Sequence, residues 1–338
     1  MANTCDDFTK GTGRDIYFEQ RRRELERVVD PSTGRVRAVL AEEVRVCPLC
    51  DSPEHAPALA KACFEFRTCK KCGFIFSNPR LRKDALMSLY RGDLPEVDTT
   101  NTWVDVLLSE RNMAYDKGKY ERGLDLLEAR VLPGRLLDVG CSIGFFLKLS
   151  SDRGWTGTGL ELNERATAHA RDNFGVEVRP LLLEDLDYAP GHFRAVTLWG
   201  VIEHLPDPVA ELRHIHSLLE EGGLLLTFCP NVESLACRVL REKAATFDGL
   251  SHYGYFSPRT LEEAFGRAGF ALEHFETHQA SLDPILNHLN GQDPYRPEHG
   301  LFGDVRLNLG EDRKELEDRI VGLGLGYKML AVARKVKP

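Results

Sequence analysis

The chain has 338 residues, 42% of them hydrophobic, with 52 acidic against 44 basic side chains and a formal net charge of −8. That length accommodates one large hydrophobic core and a smaller module, while the acidic balance and the lack of a long basic block argue against a phosphate-tracking surface. No apolar run approaches the roughly 20 residues of a membrane helix, and the opening Met-Ala-Asn-Thr-Cys-Asp-Asp lacks the basic and apolar regions of a secretory leader, so a cytoplasmic location without membrane insertion is expected.

Residues 1–44 are highly charged. Within them Gln20-Arg21-Arg22-Arg23-Glu24-Leu25-Glu26-Arg27 interleaves acids with bases, the pattern of a solvated helix rather than of a nucleic-acid patch. Residues 45–80 contain Cys47-Pro48-Leu49-Cys50 and Cys69-Lys70-Lys71-Cys72-Gly73, two Cys-x-x-Cys knuckles that can present four thiolates to one tetrahedral zinc. Phe64, Phe66, Phe74 and Phe76 alternate around the second knuckle, as in short strands with one buried face. So small a ribbon buries little core alone, and zinc would supply much of its folding energy; an iron–sulfur cluster and free thiols are the alternatives. Four thiolates leave no open coordination position, which makes such a metal structural. Cys5, Cys63, Cys141, Cys229 and Cys237 are expected as single thiols, and ribbon and core are expected to have separate hydrophobic sets.

Residues 81–132 read as a helical lid or linker, with Leu107, Leu108, Leu124, Leu126 and Leu127 available for a core face and Pro133-Gly134 as the stop. From residue 133 to 338 strand and helix alternate, the signature of a parallel sheet covered on both faces. Strands are expected at 135–139, 156–160, 176–181, 195–199, 224–228, 270–277 and 327–336. An insertion at 279–324, rich in Asp, Asn, Pro and Gly, separates the last two. Long loops inside compact domains are usually functional, so it is expected to cover the active site or to mediate homo-oligomer contact.

Residues 136–146 run a buried strand into Asp138-x-Gly140-x-Ser142-x-Gly144, a turn at which backbone N–H groups can approach a ligand closely. The dinucleotide fingerprint would need glycines where Ser142 and Phe146 stand. Glu161 ends the next apolar strand, and segments 193–208, 218–231 and 255–270 follow in order. Together these residues resemble the class I S-adenosylmethionine (SAM) dependent methyltransferases. That resemblance implies an α/β fold with a seven-stranded Rossmann-like sheet whose last two strands are antiparallel. It also implies SAM as cofactor, with Gly140, Cys141, Ser142 and Gly144 forming the turn, Asp138 at the amino-acid end and Glu161 on the ribose hydroxyls. Leu162 follows that acid; Leu183 and Glu184 would lie beside adenine, and Trp199 near the methionine portion. Read from the residues alone, the acids remain open to a role as strand-end caps or surface charges.

Glu203-His204-Leu205-Pro206-Asp207-Pro208 stands where base-amino methylating enzymes carry Asn/Asp-Pro-Pro-Tyr, and resembles small-molecule methyltransferases. His252-Tyr253-Gly254-Tyr255-Phe256-Ser257, taken with His204 and the Cys knuckles, looks like the sugar-nucleotide C-methyltransferases, although Ser251 stands where they carry glutamate. The resemblance implies His252 as general base and His204 as the residue orienting the acceptor, with Glu203, Tyr253 and Tyr255 lining the pocket. Packing roles for both tyrosines and a helix-capping role for His204 stay open. The expected reaction is O- or C-methylation of a small sugar or secondary metabolite, with no nucleic-acid partner. An RNA base methyltransferase and a SAM-binding scaffold without turnover are the alternatives.

Overall fold

The N-terminal charged run folds as helix α1 (Arg14–Val28), and its sequence pattern alone does not reveal how it packs. Glu24 and Val28 are buried, and Arg21 reaches both Glu24 at 2.8 Å and Asp248 at 2.6 Å. The helix is solvated on one face, where Arg22, Arg23 and Glu26 are exposed, while Arg21 and Glu24 on the other face pair with each other and with a distant loop. The computed structural model describes residues 13–91, 99–289, 291, 293 and 312–337.

A hairpin of β1 (Val29–Asp30) and β2 (Arg35–Val36) follows, then β3 (Ala41–Glu42), β4 (His55–Lys61), β5 (Phe64–Cys69), β6 (Ile75–Ser77) and β7 (Arg80–Leu81). The alternating phenylalanines of the ribbon are its buried face: Phe64, Phe66, Phe74 and Phe76 are at most 2% exposed. Helices α2 (Lys83–Arg91), α3 (Thr99–Leu108) and α4 (Glu110–Glu128) occupy the expected lid. Leu124 and Leu127 are buried, while Leu107 and Leu108 are partly buried.

The alternating segment contains β8 (Arg135–Val139), α5 (Phe145–Asp152), β9 (Thr156–Leu160), α6 (Glu164–Phe174), β10 (Glu177–Arg179), β11 (Phe193–Trp199), α7 (Pro208–Leu218) and β12 (Leu219–Pro230). It continues through α8 (Leu235–Leu240), β13 (Gly254–Tyr255), α9 (Pro258–Arg267), β14 (Phe270–His278), α10 (Leu282–Leu289), α11 (Asp312–Gly322) and β15 (Lys328–Lys335). Local signals set the starts of several helices. Asn163 and Asp207 accept from backbone N–H groups as N-caps, and Ser257 and Thr260 form a reciprocal capping box ahead of α9.

Seven strands form one sheet in the order β10-β9-β8-β11-β12-β15-β14. Strands β10, β9, β8, β11 and β12 pair in parallel, and β15 runs antiparallel to both β12 and β14. This is the seven-stranded sheet that the resemblance implies, with its last two strands antiparallel to each other. The third strand is shorter than its apolar run because Leu181, Leu182 and Leu183 leave the ladder to line a cavity. The 279–324 insertion begins and ends in helix rather than loop, at α10 and α11; residues 290, 292 and 294–311 of it lie outside the described residues, as does Cys5. Cys63, Cys141, Cys229 and Cys237 are buried free thiols.

The ribbon and the sheet do not have separate hydrophobic sets. Strand β13 pairs with β6, Gly254 opposite Phe76 and Tyr255 opposite Ile75, and so joins the ribbon sheet in the order β13-β6-β5-β4. The four ribbon cysteines share one apolar cluster with Phe256, Leu261 and Phe265 as well as Leu137 and Val139 of β8. Arg259 of α9 donates to the Cys72 carbonyl at 2.6 Å. A small ribbon with few apolar residues buries more area by merging its core with that of the sheet than by standing apart.

Candidate functional site

At the carboxyl end of β8 the chain turns sharply. Gly140 and Gly144 have φ of 69° and 76°, and a Cβ on them would come within 2.8 Å of Val201 and 2.7 Å of Ala170. Both positions therefore require glycine for conformation and for space. Ser142, between them, also takes a left-handed φ of 49°, and its N–H donates to Glu161 Oε2 at 3.0 Å. The other carboxylate oxygen of Glu161 accepts from the Asn163 N–H at 2.8 Å. Burial pushes the Glu161 pKa up while these backbone donors pull against it. Each oxygen keeps a further lone pair.

Asp138 is 1% exposed and accepts from Thr197 Oγ1 at 2.6 Å. Burial raises its carboxyl to about 7, against the pull of the Thr197 hydroxyl and the Lys119 ammonium. Trp199 packs against Tyr120 and Phe146 at ring distances of 4.8 and 5.2 Å, and its Nε1 is buried without a hydrogen-bond partner. Glu184 is half exposed and paired with Lys83 of α2 at 2.5 Å.

These groups open into one cavity of about 1760 Å³. Asp138, Gly140, Cys141, Ser142, Glu161, Leu162, Leu183, Glu184 and Trp199 line it, together with Glu203, His204, His252 and Tyr253. Gly144 does not; it starts α5 behind the turn. Tyr255 does not either, and its expected place in the pocket is corrected: it is 2% exposed, packs on Phe66 and Phe247, and its hydroxyl meets Ser77 Oγ and the His252 carbonyl. Tyr253 touches the cavity, but its hydroxyl donates to the Leu81 carbonyl at 2.7 Å and its ring lies under Arg80.

Glu203 and His204 sit on a 3-10 turn, Ile202–His204, beyond the end of β11, and His252 arrives from the loop before β13. The two imidazole rings are 4.8 Å apart at 71°. Burial, and then His204, lowers the His252 pKa to about 4, well below the value near 7 that suits a general base. Sequence reasoning did not find the groups that frame this end. Tyr90 of α2 meets His204 Nδ1 at 2.8 Å. Arg21 Nη2 donates to Asp248 at 2.6 Å and to Ser251 Oγ at 2.7 Å; burial alone would raise the Asp248 pKa, and the guanidinium holds it well below the usual carboxylate range. Arg21 carried a local signal, its i,i+3 spacing to Glu24, as did the Asp116-x-x-Lys119 pair, 2.8 Å apart on α4, at the Asp138 and Trp199 end.

The four ribbon sulfurs all lie within 4.8 Å of one another, with Cys47–Cys72 and Cys50–Cys69 each at 3.6 Å. A tetrahedral zinc with bonds of about 2.3 Å sets its sulfurs about 3.8 Å apart. The donor set and spacing therefore fit that ion.

Residues 111–275 match a family model described as a methyltransferase domain. This segment is a methyltransferase domain. It holds the turn, Glu161, Glu203, His204 and His252; the ribbon and the helices α1 to α3 lie outside it. Ubiquinone biosynthesis O-methyltransferase of Xanthomonas campestris pv. campestris (strain B100) is 40% identical over 110 residues, 30% of this chain and 46% of that protein. The protein of that name from Pseudomonas aeruginosa (strain LESB58) is 33% identical over 95 residues, 26% and 41% of the two. The chain thus spans less than half the length of these curated relatives. The structure of Burkholderia thailandensis 1,6-didemethyltoxoflavin-N1-methyltransferase with bound 1,6-didemethyltoxoflavin and S-adenosylhomocysteine is 16% identical, with a TM-score of 0.48, covering 83% of this chain and 99% of that chain. Among the described residues, no helix is long and apolar enough to cross a membrane.

Proposed function

We propose that this protein methylates an oxygen or carbon of a small-molecule acceptor with SAM. The observation that carries the reading is the turn after β8 and the Glu161 carboxylate, two successive strand ends that open into the same cavity as His204 and His252. The cavity exceeds the roughly 300–1,000 Å³ that one ligand occupies, which leaves room for cofactor and acceptor together. The named relatives, matched over less than half of their own length, are O-methyltransferases, which supports oxygen as the accepting atom.

When bound, SAM supplies a methyl group on a sulfonium. Glu161 would accept from the ribose hydroxyls through its remaining lone pairs, Asp138 would face the ammonium, and the orphaned Trp199 Nε1 would find an acceptor at the methionine end. Leu183 and Glu184 would flank adenine, with the Lys83 pair holding α2 over that edge. The acceptor atom would take that methyl as sulfur keeps the bonding pair, and a base at the Glu203, His204 and His252 end of the cavity would receive its proton. Positioning and exclusion of water carry most of such a displacement. Cys47, Cys50, Cys69 and Cys72 would hold a structural zinc whose four thiolates leave no position for chemistry.

The test is calorimetric. Glu161→Ala should weaken S-adenosylhomocysteine binding by about 1.5–3 kcal/mol, roughly 10- to 150-fold, because ribose donors lose charged partners. Unchanged affinity would overturn the assignment of the cofactor site.

A further inference from the structure

Beyond the cofactor turn, the floor of the cavity gathers three groups whose hydrogen-bonding needs do not match one another. The candidate donor atoms of Glu203, His204 and His252 all lie within 4.8 Å of each other. His204 Nδ1 is 2.9 Å from the Ser251 carbonyl, and His252 Nδ1 is 2.9 Å from the Thr246 carbonyl. A carbonyl only accepts, so each Nδ1 donates its hydrogen, at His204 between the Ser251 carbonyl and the Tyr90 hydroxyl oxygen 2.8 Å away, and each Nε2 presents a lone pair. Neither Nε2 has a hydrogen-bond partner among the described residues. Glu203 is 3% exposed, and its Oε2 is buried with no partner. Lys328, the cation whose charge it feels, forms no ion pair with it.

The cluster is therefore one carboxylate and two imidazoles that each keep a lone pair, with candidate ligand atoms within 4.8 Å of one another. A buried carboxylate without a partner is costly, and a cation satisfies three such groups together. The Nδ1-to-carbonyl bonds are also the arrangement that fixes a metal-binding histidine in its tautomer and orientation. We propose that Glu203, His204 and His252 bind a divalent transition-metal ion whose open coordination positions face the cavity and take an oxygen of the acceptor. Ligand bonds of about 2.1 Å would bring the donors to about 3.4 Å, a closure on the order of 1 Å that side-chain rotation supplies. Two nitrogens and one carboxylate suit manganese, iron, cobalt or zinc over calcium or magnesium. The role given to the acceptor oxygen rests on the methyl-transfer reading; the metal site itself does not.

The experiment uses the full chain without an affinity tag and Mn²⁺ as the probe, since a thiolate cluster disfavours that harder ion. Titration followed by electron paramagnetic resonance should show one bound Mn²⁺ per chain with couplings to imidazole ¹⁴N. Glu203→Gln and His252→Asn, which keep shape, should each weaken binding at least about tenfold, with S-adenosylhomocysteine affinity unchanged by calorimetry. Mn²⁺ that stays free, binds the wild type without nitrogen coupling, or binds the variants as tightly would overturn the proposal. The nitrogen couplings decide the matter even where a variant fails to fold. Failure of the wild type to bind S-adenosylhomocysteine would instead sink the methyl-transfer reading and leave the metal result standing.

Discussion

On the cofactor side of the cavity, Asp138, Gly140, Ser142 and Glu161 come from two neighbouring strand ends and the turn between them; Ser142 to Glu161 spans 19 residues, and Asp138 reaches Thr197 on the adjacent strand across 59. On the acceptor side, Arg21 reaches Asp248 across 227 residues and Tyr90 reaches His204 across 114. The first half is made by backbone geometry, which glycine and a strand end dictate locally. The second is made by side chains that distant elements bring together. Each half should therefore fail in its own way.

The largest expected effect strikes the acceptor side from outside it. Metal-coupled folding of four-thiolate sites amounts to on the order of 10 kcal/mol, and the ribbon carries β13 as its fourth strand. Stripping the metal with a chelator should raise hydrogen exchange at 47–76 and also at 250–256, while amides of the β8 turn stay protected. Exchange confined to the ribbon would break the comparison by showing that the acceptor loop stands without it. Elemental analysis should find one zinc per chain before the chelator is added.

Next in size is the link between α1 and the acceptor loop. Arg21→Met leaves Asp248 without its cation. The two side chains are 16% and 28% exposed, so the cost should fall below the roughly 3–5 kcal/mol of a fully buried pair, at about 1–3 kcal/mol. Adding Asp248→Asn should recover much of it in a double-mutant cycle read by urea unfolding. Strictly additive losses would mean the pair does not hold α1 to this loop.

How much of this was legible follows the same division. The sheet could be read because apolar strand runs and capping residues act over a few positions, and the turn because Gly140 and Gly144 announce backbone that only glycine adopts. The tautomers of His204 and His252 depend on the carbonyls of Ser251 and Thr246, which no periodicity marks. The family resemblance places Tyr255 in the pocket, yet its ring packs on Phe66 and Phe247, partners that no local pattern marks. The docking of the inner face of α1 is hidden for a related reason: the pairing of Arg21 with Asp248 is invisible until the loop is placed.

A smaller effect, with a definite sign, belongs to Asp138. Its folded pKa, about 7, lies above the ordinary 3.8, so its contribution to stability is fully present below about pH 4 and is lost as pH rises through 7. A cofactor ammonium nearby favours the ionised form, so SAM affinity should rise over the upper part of that window. Asp138→Asn should flatten both dependences, measured as urea midpoints and calorimetric affinities at pH 5.5 and 7.5. A variant that keeps the wild-type slopes would place the titration elsewhere.

The smallest effect sharpens the comparison most, because it separates backbone from side chain at one residue. Ser142 holds φ at 49°, a region that costs a non-glycine residue on the order of 1 kcal/mol, and the contact that holds it there is made by its N–H, which any residue except proline supplies. Ser142→Gly removes the strain and keeps the bond to Glu161, but adds chain entropy to the unfolded state. The two terms oppose each other, so stability should change by less than about 1 kcal/mol and S-adenosylhomocysteine affinity should hold. Ser142→Pro removes the N–H and cannot take a positive φ, so it should cost both. If Ser142→Gly lost cofactor affinity as Glu161→Ala does, the serine hydroxyl would itself be a ligand group, and the cofactor side would depend on side chains as fully as the acceptor side does.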